Sequence, residues 1–355
     1  MLPYMFVIVG VGLAAIFMQR RVILPFWAFA FVVLVLFVGL RHHVGMDWNN
    51  YLGMIYRVSG GGLLEAREYA EPSYAFLLWI SSNLGMGIYL PNLVVALILM
   101  TGLFRYARST PSPWIALLAA IPFLVVVTGM SANRQAAAIG ILLWAMAGWE
   151  RHPIWWRAFL IGLAATFHAS AIVFLILVLA DLKIQRGVKI VGVAVFAMAT
   201  VYYLTLTDKF DYYDQVYGSG QAEITQSSGA IFHVLINGAP AILYFLMPRY
   251  RSVLLPNDAH RHMAVAAVAL IALAFVTSAA AGRASLYLFP VSMHIFAAIP
   301  LVLRGTGARF AYVVGCAAFF TSILAFWLLA SNTGFSYLPY ENVFTVDPSV
   351  LQLCC

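Results

Sequence analysis

The side chains that could carry chemistry are concentrated in residues 41–51, which read Arg-His-His-Val-Gly-Met-Asp-Trp-Asn-Asn-Tyr. In a chain of 355 residues that is 63% hydrophobic and only 9% charged, such a cluster indicates a site. Within it, Asp47 is suited to deprotonate or orient an alcohol as a general base. Two simpler interpretations stay open: an interfacial loop with a snorkelling arginine and headgroup-level aromatics, and an aspartate that caps the next helix.

Two more groups with catalytic potential follow along the chain. Glu71 precedes Pro72, an arrangement typical of a helix start, so capping explains it as well as catalysis does. Tyr74 lies one turn later and offers a ring on which a sugar could stack. His168 interrupts a very apolar segment in the sequence His-Ala-Ser-Ala, and it is either a packing residue or a functional one.

Two arginines from distant parts of the chain are suited to bind phosphate. Arg134 lies between two apolar runs and has amide side chains on both sides, Asn133 and Gln135. A guanidinium there fits the fork-shaped contact to phosphate, although an interfacial snorkelling arginine is the alternative. Arg283 and Tyr287 are four residues apart, on one helical face where an apolar span begins. The two arginines are therefore predicted to share one diphosphate.

The sequence favours no metal and no nucleotide as a cofactor. The adjacent His42 and His43 have no further ligands at metal-binding spacing. The three cysteines give neither a disulfide framework nor a metal site. A glycine-rich phosphate loop and a sugar-nucleotide domain are both lacking, so a nucleotide-driven reaction is not expected.

The composition requires that these groups be positioned by membrane-spanning helices. The mean hydropathy is +0.91, and apolar runs near the roughly 20 residues that cross a bilayer recur along the chain. Such runs must be helical because lipid offers the backbone no hydrogen-bond partners. The net charge of +7 is explained by cytoplasmic Lys and Arg rather than by nucleic acid. Residues 1–355 are predicted to form one polytopic domain with outer loops at about 41–71 and 207–229 and a polar tail at 331–355.

The distribution of positive charge decides between two topologies. As one helix, residues 154–182 would run about 43 Å, against a hydrocarbon core of about 30 Å. If they form two short helices that meet at His168, Arg151 and Arg157 lie inside, and residues 73–90 enter and leave on the outer side. The rival topology makes both segments single spans and leaves several arginines outside.

We predict the broken version, which is an all-α polytopic membrane bundle of roughly 11–13 transmembrane helices with a re-entrant segment and a broken helix near His168. It places six ionisable residues at one face of the membrane: Arg41, Asp47, Glu71, Arg134, His168 and Arg283.

Short motifs that follow one another in order cover nearly the whole chain. They are Arg41…Val44-Gly45-Met46-Asp47…Tyr51, Glu71-Pro72-Ser73-Tyr74, Arg134-Gln135-Ala136-Ala137, His168-Ala169-Ser170-Ala171, Arg283…Tyr287 and Leu338-Pro339-Tyr340. Together they resemble the EpsG family of exopolysaccharide-associated membrane proteins, which are relatives of Wzy-type polysaccharide polymerases. A small residue is more usual in the family at the position of Met46, a minor departure.

The resemblance implies a glycosyltransferase-type polymerase in the bacterial inner membrane, independent of metal and nucleotide. It would join undecaprenyl-diphosphate-linked oligosaccharide repeats at the periplasmic face, with one lipid-linked chain as donor and one lipid-linked repeat as acceptor. Chain-length regulators or export proteins are the protein partners that this implies. The implied residues are Asp47, Glu71 and His168 for catalysis, Arg41, Arg134 and Arg283 for the diphosphate, and Tyr51, Tyr74, Gln135, Tyr287 and Tyr340 for the sugar.

Two other functions compete with the polymerase. A transferase that adds one sugar from a polyprenyl-phosphate donor would also use an acid in an outer loop. A transporter or flippase for lipid-linked glycans would also need a cationic cavity, although the sequence lacks the two similar halves common among transporters.

Overall fold

The computed structural model describes residues 1–185, 187–192, 194–195, 198, 230–275 and 278–352, so the expected outer loop at 207–229 lies outside the described residues. Apart from one pair of two-residue strands, the regular elements in this part of the chain are helices, which confirms the all-α prediction. The elements up to residue 185 are α1 (Leu2–Met18), α2 (Leu24–Gly39), β1 (Arg41–His42), α3 (Trp48–Val58), α4 (Leu63–Tyr69), α5 (Pro72–Asn83), α6 (Tyr89–Arg108), α7 (Pro113–Ser131, with a π-helical stretch), α8 (Asn133–Met146), α9 (Ile154–Ala165) and α10 (Leu175–Asp181). The later elements are α11 (Ala230–Leu246), α12 (Arg251–Leu254), α13 (Asp258–Ala274), α14 (Ser278–Leu286), α15 (Phe289–Val302), α16 (Thr306–Ala330), β2 (Glu341–Asn342) and α17 (Pro348–Gln352).

Several of these helices are apolar enough to cross a membrane. Among the described residues, α6, α7 and α16 are each long and apolar enough, and two bent helix pairs raise the number to as many as 5. Shorter apolar helices, among them α1, α2 and α9, accompany them. The protein is therefore a multi-pass membrane protein. Within the described residues, fewer helices qualify than the eleven to thirteen expected of the whole chain, because several of the expected spans are short or broken there.

Helix α7 lies at the centre of the bundle, and 94% of its most apolar 18-residue stretch is buried inside the protein. Beside it, α6 and α8 approach each other closely through two glycines. A Cβ added to Gly102 would lie 1.8 Å from the carbonyl oxygen of Gly140, and one added to Gly140 would lie 2.6 Å from that of Ile98. This close approach brings the first turns of α6 and α8 together, and both turns carry polar residues of the site.

The segment 154–182 is broken at His168, as predicted. Helix α9 has 12 residues, or about 18 Å, and a 3₁₀ helix follows His168 before α10. An ion pair of 2.5 Å joins Arg157 near the start of α9 to Asp181 at the end of α10. The indole of Trp149 also donates to that carboxylate at 2.6 Å. Because its two ends are tied together, the segment enters and returns at the same end of the bundle.

Helix α5 is short in the same way, with 12 residues. A helix of about 18 Å does not cross a core of about 30 Å, as the predicted re-entrant segment requires. The first turn of α5 meets the break at His168: the backbone N–H of Ser73 donates to the carbonyl of Thr166 at 3.0 Å, and their hydroxyls lie 2.7 Å apart.

The chain after α16 folds back onto the loop that follows α2. We call residues 334–345 the C-terminal strap. In it, β2 pairs antiparallel with β1, and the carbonyl of Ser336 accepts the N–H of Gly45 at 2.8 Å. The ring of Tyr337 is buried, and its hydroxyl donates to the carbonyl of Val127 at 3.1 Å. The expected polar tail is thus, in this part, a packed element that supports residues 41–47.

Candidate functional site

The guanidinium of Arg41 is buried behind the site, and its hydrogen-bond acceptors are groups of the protein. It is 1% exposed, and its N–H groups donate to five oxygen atoms, those of the carbonyls of Val38, Val44 and Met130 and of the side chains of Asn92 and Asn133. A buried guanidinium needs such partners because unsatisfied donors are costly. In this structure Arg41 therefore fastens residues 41–51 to α6, α7 and α8, while its role toward a diphosphate stays a prediction.

The polar layer around Arg41 continues through two asparagines. The amide of Asn133 donates to Asn92 Oδ1 at 2.7 Å and to the hydroxyl of Tyr74 at 3.3 Å. Tyr74 is fully buried, so its ring has no face open to a sugar in this structure. Asn92 was missed by the sequence analysis; the only signal was an amide within the apolar start of α6.

Glu71, Arg134 and His168 form the centre of the site. Arg134 Nη1 lies 2.7 Å from Glu71 Oε2, and His168 Nδ1 lies 3.4 Å from Glu71 Oε1. The Glu71 side chain is only 8% exposed, whereas those of Arg134 and His168 are 22% and 28% exposed. Burial alone would raise the pKa of the Glu71 carboxyl, but contact with His168 and the charge of Arg134 hold it well below its usual range.

Each of these three residues lies at the end of a helix. Glu71 is the residue before α5, Arg134 is in the first turn of α8, and His168 stands at the break after α9. Helix ends carry backbone groups without helical partners, so polar side chains gather there. The sequence breaks its helices at these points, and the breaks bring the three side chains together.

Asp47 lies on the neighbouring side, immediately before α3. Its backbone N–H donates to the hydroxyl of Ser131 at 3.3 Å, and the amide of Asn50 lies 3.5 Å from Oδ1. Burial raises the pKa of the Asp47 carboxyl, and the charges of Arg283 and Arg134 offset only part of that rise. Asp47 is thus a carboxylate of increased proton affinity beside two cations.

Three residues predicted to contact sugar make hydrogen bonds to the segments that carry the charged groups. The backbone N–H of Arg134 points to the hydroxyl of Tyr51, 3.5 Å away. The amide of Gln135 donates to the carbonyl of Arg283 at 2.9 Å. The hydroxyl of Tyr287 lies 2.8 Å from that of Ser170, two residues after His168. These contacts join α3, α8, α14 and the break at His168 into one assembly.

Tyr340 lies apart from this assembly. Its ring stacks on Phe37 with a centroid distance of 4.6 Å, and its hydroxyl donates to the Phe37 carbonyl at 2.8 Å. It packs the strap onto α2. The structure therefore brings together Asp47, Glu71, Arg134, His168 and Arg283, with Arg41 behind them. Within the described residues, no three His, Cys, Asp or Glu side chains are grouped as metal ligands.

The fold and the site define a polytopic helical membrane protein with an ion-paired polar site built from helix ends. A comparison with known families agrees with this class. The model described as the EpsG family matches residues 24–342, and the chain belongs to the EpsG family. Membership associates this membrane protein with exopolysaccharide. No curated protein and no solved structure matches the chain.

Proposed function

We propose that the protein is a polysaccharide polymerase that transfers a growing glycan from undecaprenyl diphosphate to a lipid-linked repeat unit. The observation that carries this proposal is a site that contains two arginines, Arg134 and Arg283, and two carboxyl groups whose pKa values are shifted in opposite directions. Such a site suits a reaction in which a hydroxyl loses a proton while a diphosphate leaves.

Asp47 is the better base of the two carboxylates. Its raised pKa increases its affinity for a proton, whereas the pKa of Glu71 is lowered by its contacts with Arg134 and His168. A carboxylate that is already paired and strongly acidic takes a proton poorly at neutral pH. Asp47 therefore accepts the proton of the acceptor hydroxyl, and Glu71 fixes the direction of Arg134. The imidazole of His168 lies 3.4 Å from the other oxygen of the Glu71 carboxylate and helps to fix its position.

In the transfer, the acceptor oxygen forms a bond to the anomeric carbon of the donor sugar. The bond between that carbon and the diphosphate oxygen breaks, and its electron pair leaves with undecaprenyl diphosphate. Arg134, held at 2.7 Å by Glu71, and Arg283, whose backbone is held by Gln135, stabilise the developing negative charge. Charges held in place before the reaction do this without reorganisation, as a metal ion would.

A periplasmic location of the site is supported by the charge distribution along two helices. In α6, Asn92 is in the first turn at the site, while Arg105 and Arg108 are in the last turn, about 20 Å away along the helix. In α8, Arg134 is at the site end, and Trp144 near the other end contacts the guanidinium of Arg105 at 4.3 Å. Positive residues favour the cytoplasmic side, so the site belongs to the outer face of the inner membrane.

The test is reconstitution of the purified protein in liposomes with an undecaprenyl-diphosphate-linked repeat unit, read on a gel that resolves chain length. Neither nucleotide nor metal is added. We expect a ladder from the wild type and none from Asp47→Asn or Arg134→Ala. The matched controls are Asp258→Asn, an exposed aspartate on α13, and Arg309→Ala, an exposed arginine on α16; both should give the wild-type ladder.

Three outcomes contradict the proposal. A single added sugar identifies a transferase of one residue. Movement of intact substrate across the bilayer without a ladder identifies a flippase. A ladder that persists in Arg134→Ala removes the assigned role of that arginine.

A further inference from the structure

The helix that carries Arg283 is bent shortly after that residue. The axes of its two parts, Ala280–Leu286 in α14 and Phe289–Val302 in α15, differ by 54°. Arg283 lies one turn before the bend. The angle of the bend therefore helps to set the position of the Arg283 side chain, and a change in that angle would move the guanidinium relative to Asp47.

One side chain from another helix bridges this bend. Asn237, in the middle of α11, is fully buried. Its Nδ2 donates to the carbonyl of Ser285 on the α14 side at 2.7 Å. Its Oδ1 accepts the hydroxyl of Ser292 on the α15 side, also at 2.7 Å. The carboxamide thus uses its donor on one arm of the bend and its acceptor on the other.

The same face of α11 holds α14 at two further points. A Cβ added to Gly282 would lie 2.7 Å from the Cβ of Ala230, so the two helices touch directly beside Arg283. The hydroxyl of Ser285 donates to the carbonyl of His233 at 2.6 Å. Positions 230, 233 and 237 follow helical spacing, so they form one continuous contact face. From α8, the amide of Gln135 holds the backbone of Arg283 at 2.9 Å.

We propose that Asn237 is a positioning residue for Arg283: it fixes the bend between α14 and α15 and so sets the place of the guanidinium in the site. The inference rests on the proposed role of Arg283 in binding the lipid diphosphate. A polar side chain buried in a membrane bundle is expensive, and here both halves of the amide are used. An apolar residue of similar size would fill the space but remove both hydrogen bonds that bridge the bend.

The experiment measures the binding of undecaprenyl diphosphate to the full-length protein in lipid nanodiscs. Four proteins are compared, namely the wild type, Asn237→Ala, Arg283→Ala and the double variant. We expect Asn237→Ala to weaken binding about tenfold, the effect of losing one buried hydrogen-bond arrangement. The double variant should bind no more weakly than Arg283→Ala alone, because Asn237 acts only through that arginine.

Two further variants separate positioning from loss of folding. Ser292→Ala removes one arm of the bridge and leaves Asn237 in place, so binding should weaken less than in Asn237→Ala. Asn83→Ala changes an exposed asparagine at the end of α5 and should bind as the wild type does. If Asn237→Ala does not fold, Ser292→Ala and its combination with Arg283→Ala give the same comparison.

The inference is overturned if Asn237→Ala binds normally, if its effect adds fully to that of Arg283→Ala, or if Arg283→Ala binds normally. Failure of the proposed function is read separately in the chain-length assay. A wild-type protein that binds undecaprenyl diphosphate but forms no ladder contradicts the polymerase and leaves the role of Asn237 in binding intact. A wild type that does not bind the lipid overturns both.

Discussion

Asp47 and Glu71 are carboxylates of one site whose pKa values are moved in opposite directions, and the cause is local in each case. Asp47 is half-buried, and the charges of Arg283 and Arg134 offset only part of the effect of burial, which raises its pKa. Glu71 is more tightly enclosed but has Arg134 at 2.7 Å, and its pKa is lowered. Opposite shifts of this kind fit the proposed division of roles, with Asp47 as the base and Glu71 as a fixed anion.

Replacing Asp47 by Asn should abolish polymerisation without reducing stability. A carboxyl with a raised pKa binds protons more readily in the folded state, so its ionisation at neutral pH costs folding free energy. We expect a melting temperature at pH 7 equal to or above that of the wild type, and no gain below about pH 4, where both states are protonated. Thermal melting in detergent from pH 2 to 8 measures this; a clear loss at pH 7 contradicts it.

Replacing Glu71 by Gln should have the opposite effect on stability. A lowered pKa stabilises the folded state above the ordinary glutamate pKa of about 4.3, and this contribution is lost as the pH falls through the lowered value. We expect a loss of about 1–3 kcal/mol at pH 7, because the partly buried Arg134 loses its partner. The difference from the wild type should shrink below about pH 4.

The same melting series serves Glu71→Gln, with Glu68→Gln as its control, because Glu68 is an exposed glutamate of α4 that forms no ion pair with any described residue. A loss in Glu71→Gln that is equal at every pH would show that packing, and not charge, supports the pair.

At the scale of elements, the breaks in the helices were predictable and their partners were not. The length of segment 154–182 and the arginines near its start favoured a break over a single span, and His168 was the polar interruption within it. The saturation of Arg41 was not visible, because its acceptors are mostly backbone carbonyls that any sequence provides. The strap could not be predicted either, because two-residue strands about 300 residues apart in sequence leave no periodic pattern.

The contact between α6 and α8 should be sensitive to one methyl group. In Gly140→Ala the new Cβ would lie 2.6 Å from the carbonyl oxygen of Ile98, so the two helices must separate. We expect a loss of about 1–3 kcal/mol of stability together with a reduced ladder, because Asn92 and Arg134 begin these helices. The control is Gly162→Ala in α9, where an added Cβ meets no atom within 4 Å. Equal melting temperatures for the two variants would contradict the prediction.

At the scale of the whole molecule, the site lies at the opposite end of α6 from Arg105 and Arg108. The positive-inside tendency predicted this grouping, because the preferred topology put Arg105, Arg108, Arg151 and Arg157 on one side. The number of crossing helices was not predictable in the same way. Hydropathy predicts a membrane span from any long apolar run. Short paired helices such as α9 and α10 are equally apolar, but neither is long enough to cross the membrane by itself.

The orientation gives a labelling prediction. In a protein whose own cysteines are replaced, Met46→Cys at the exposed edge of the site should react with a membrane-impermeant maleimide in intact spheroplasts. Ser109→Cys, just after α6, should react only after the membrane is opened. Each variant is the other's control, and the reverse pattern would place the site in the cytoplasm.

The strap also bears on how the protein is made. Residues 336–342 support the loop that carries Asp47, yet they are synthesised about 290 residues after it. At about 5–20 residues per second, the ribosome needs of order 15–60 s to cover that distance. During this time the early helices are already in the membrane, and the loop lacks its brace. The loop that carries Asp47 therefore stays without its brace until the strap has been synthesised, and the site is completed only then.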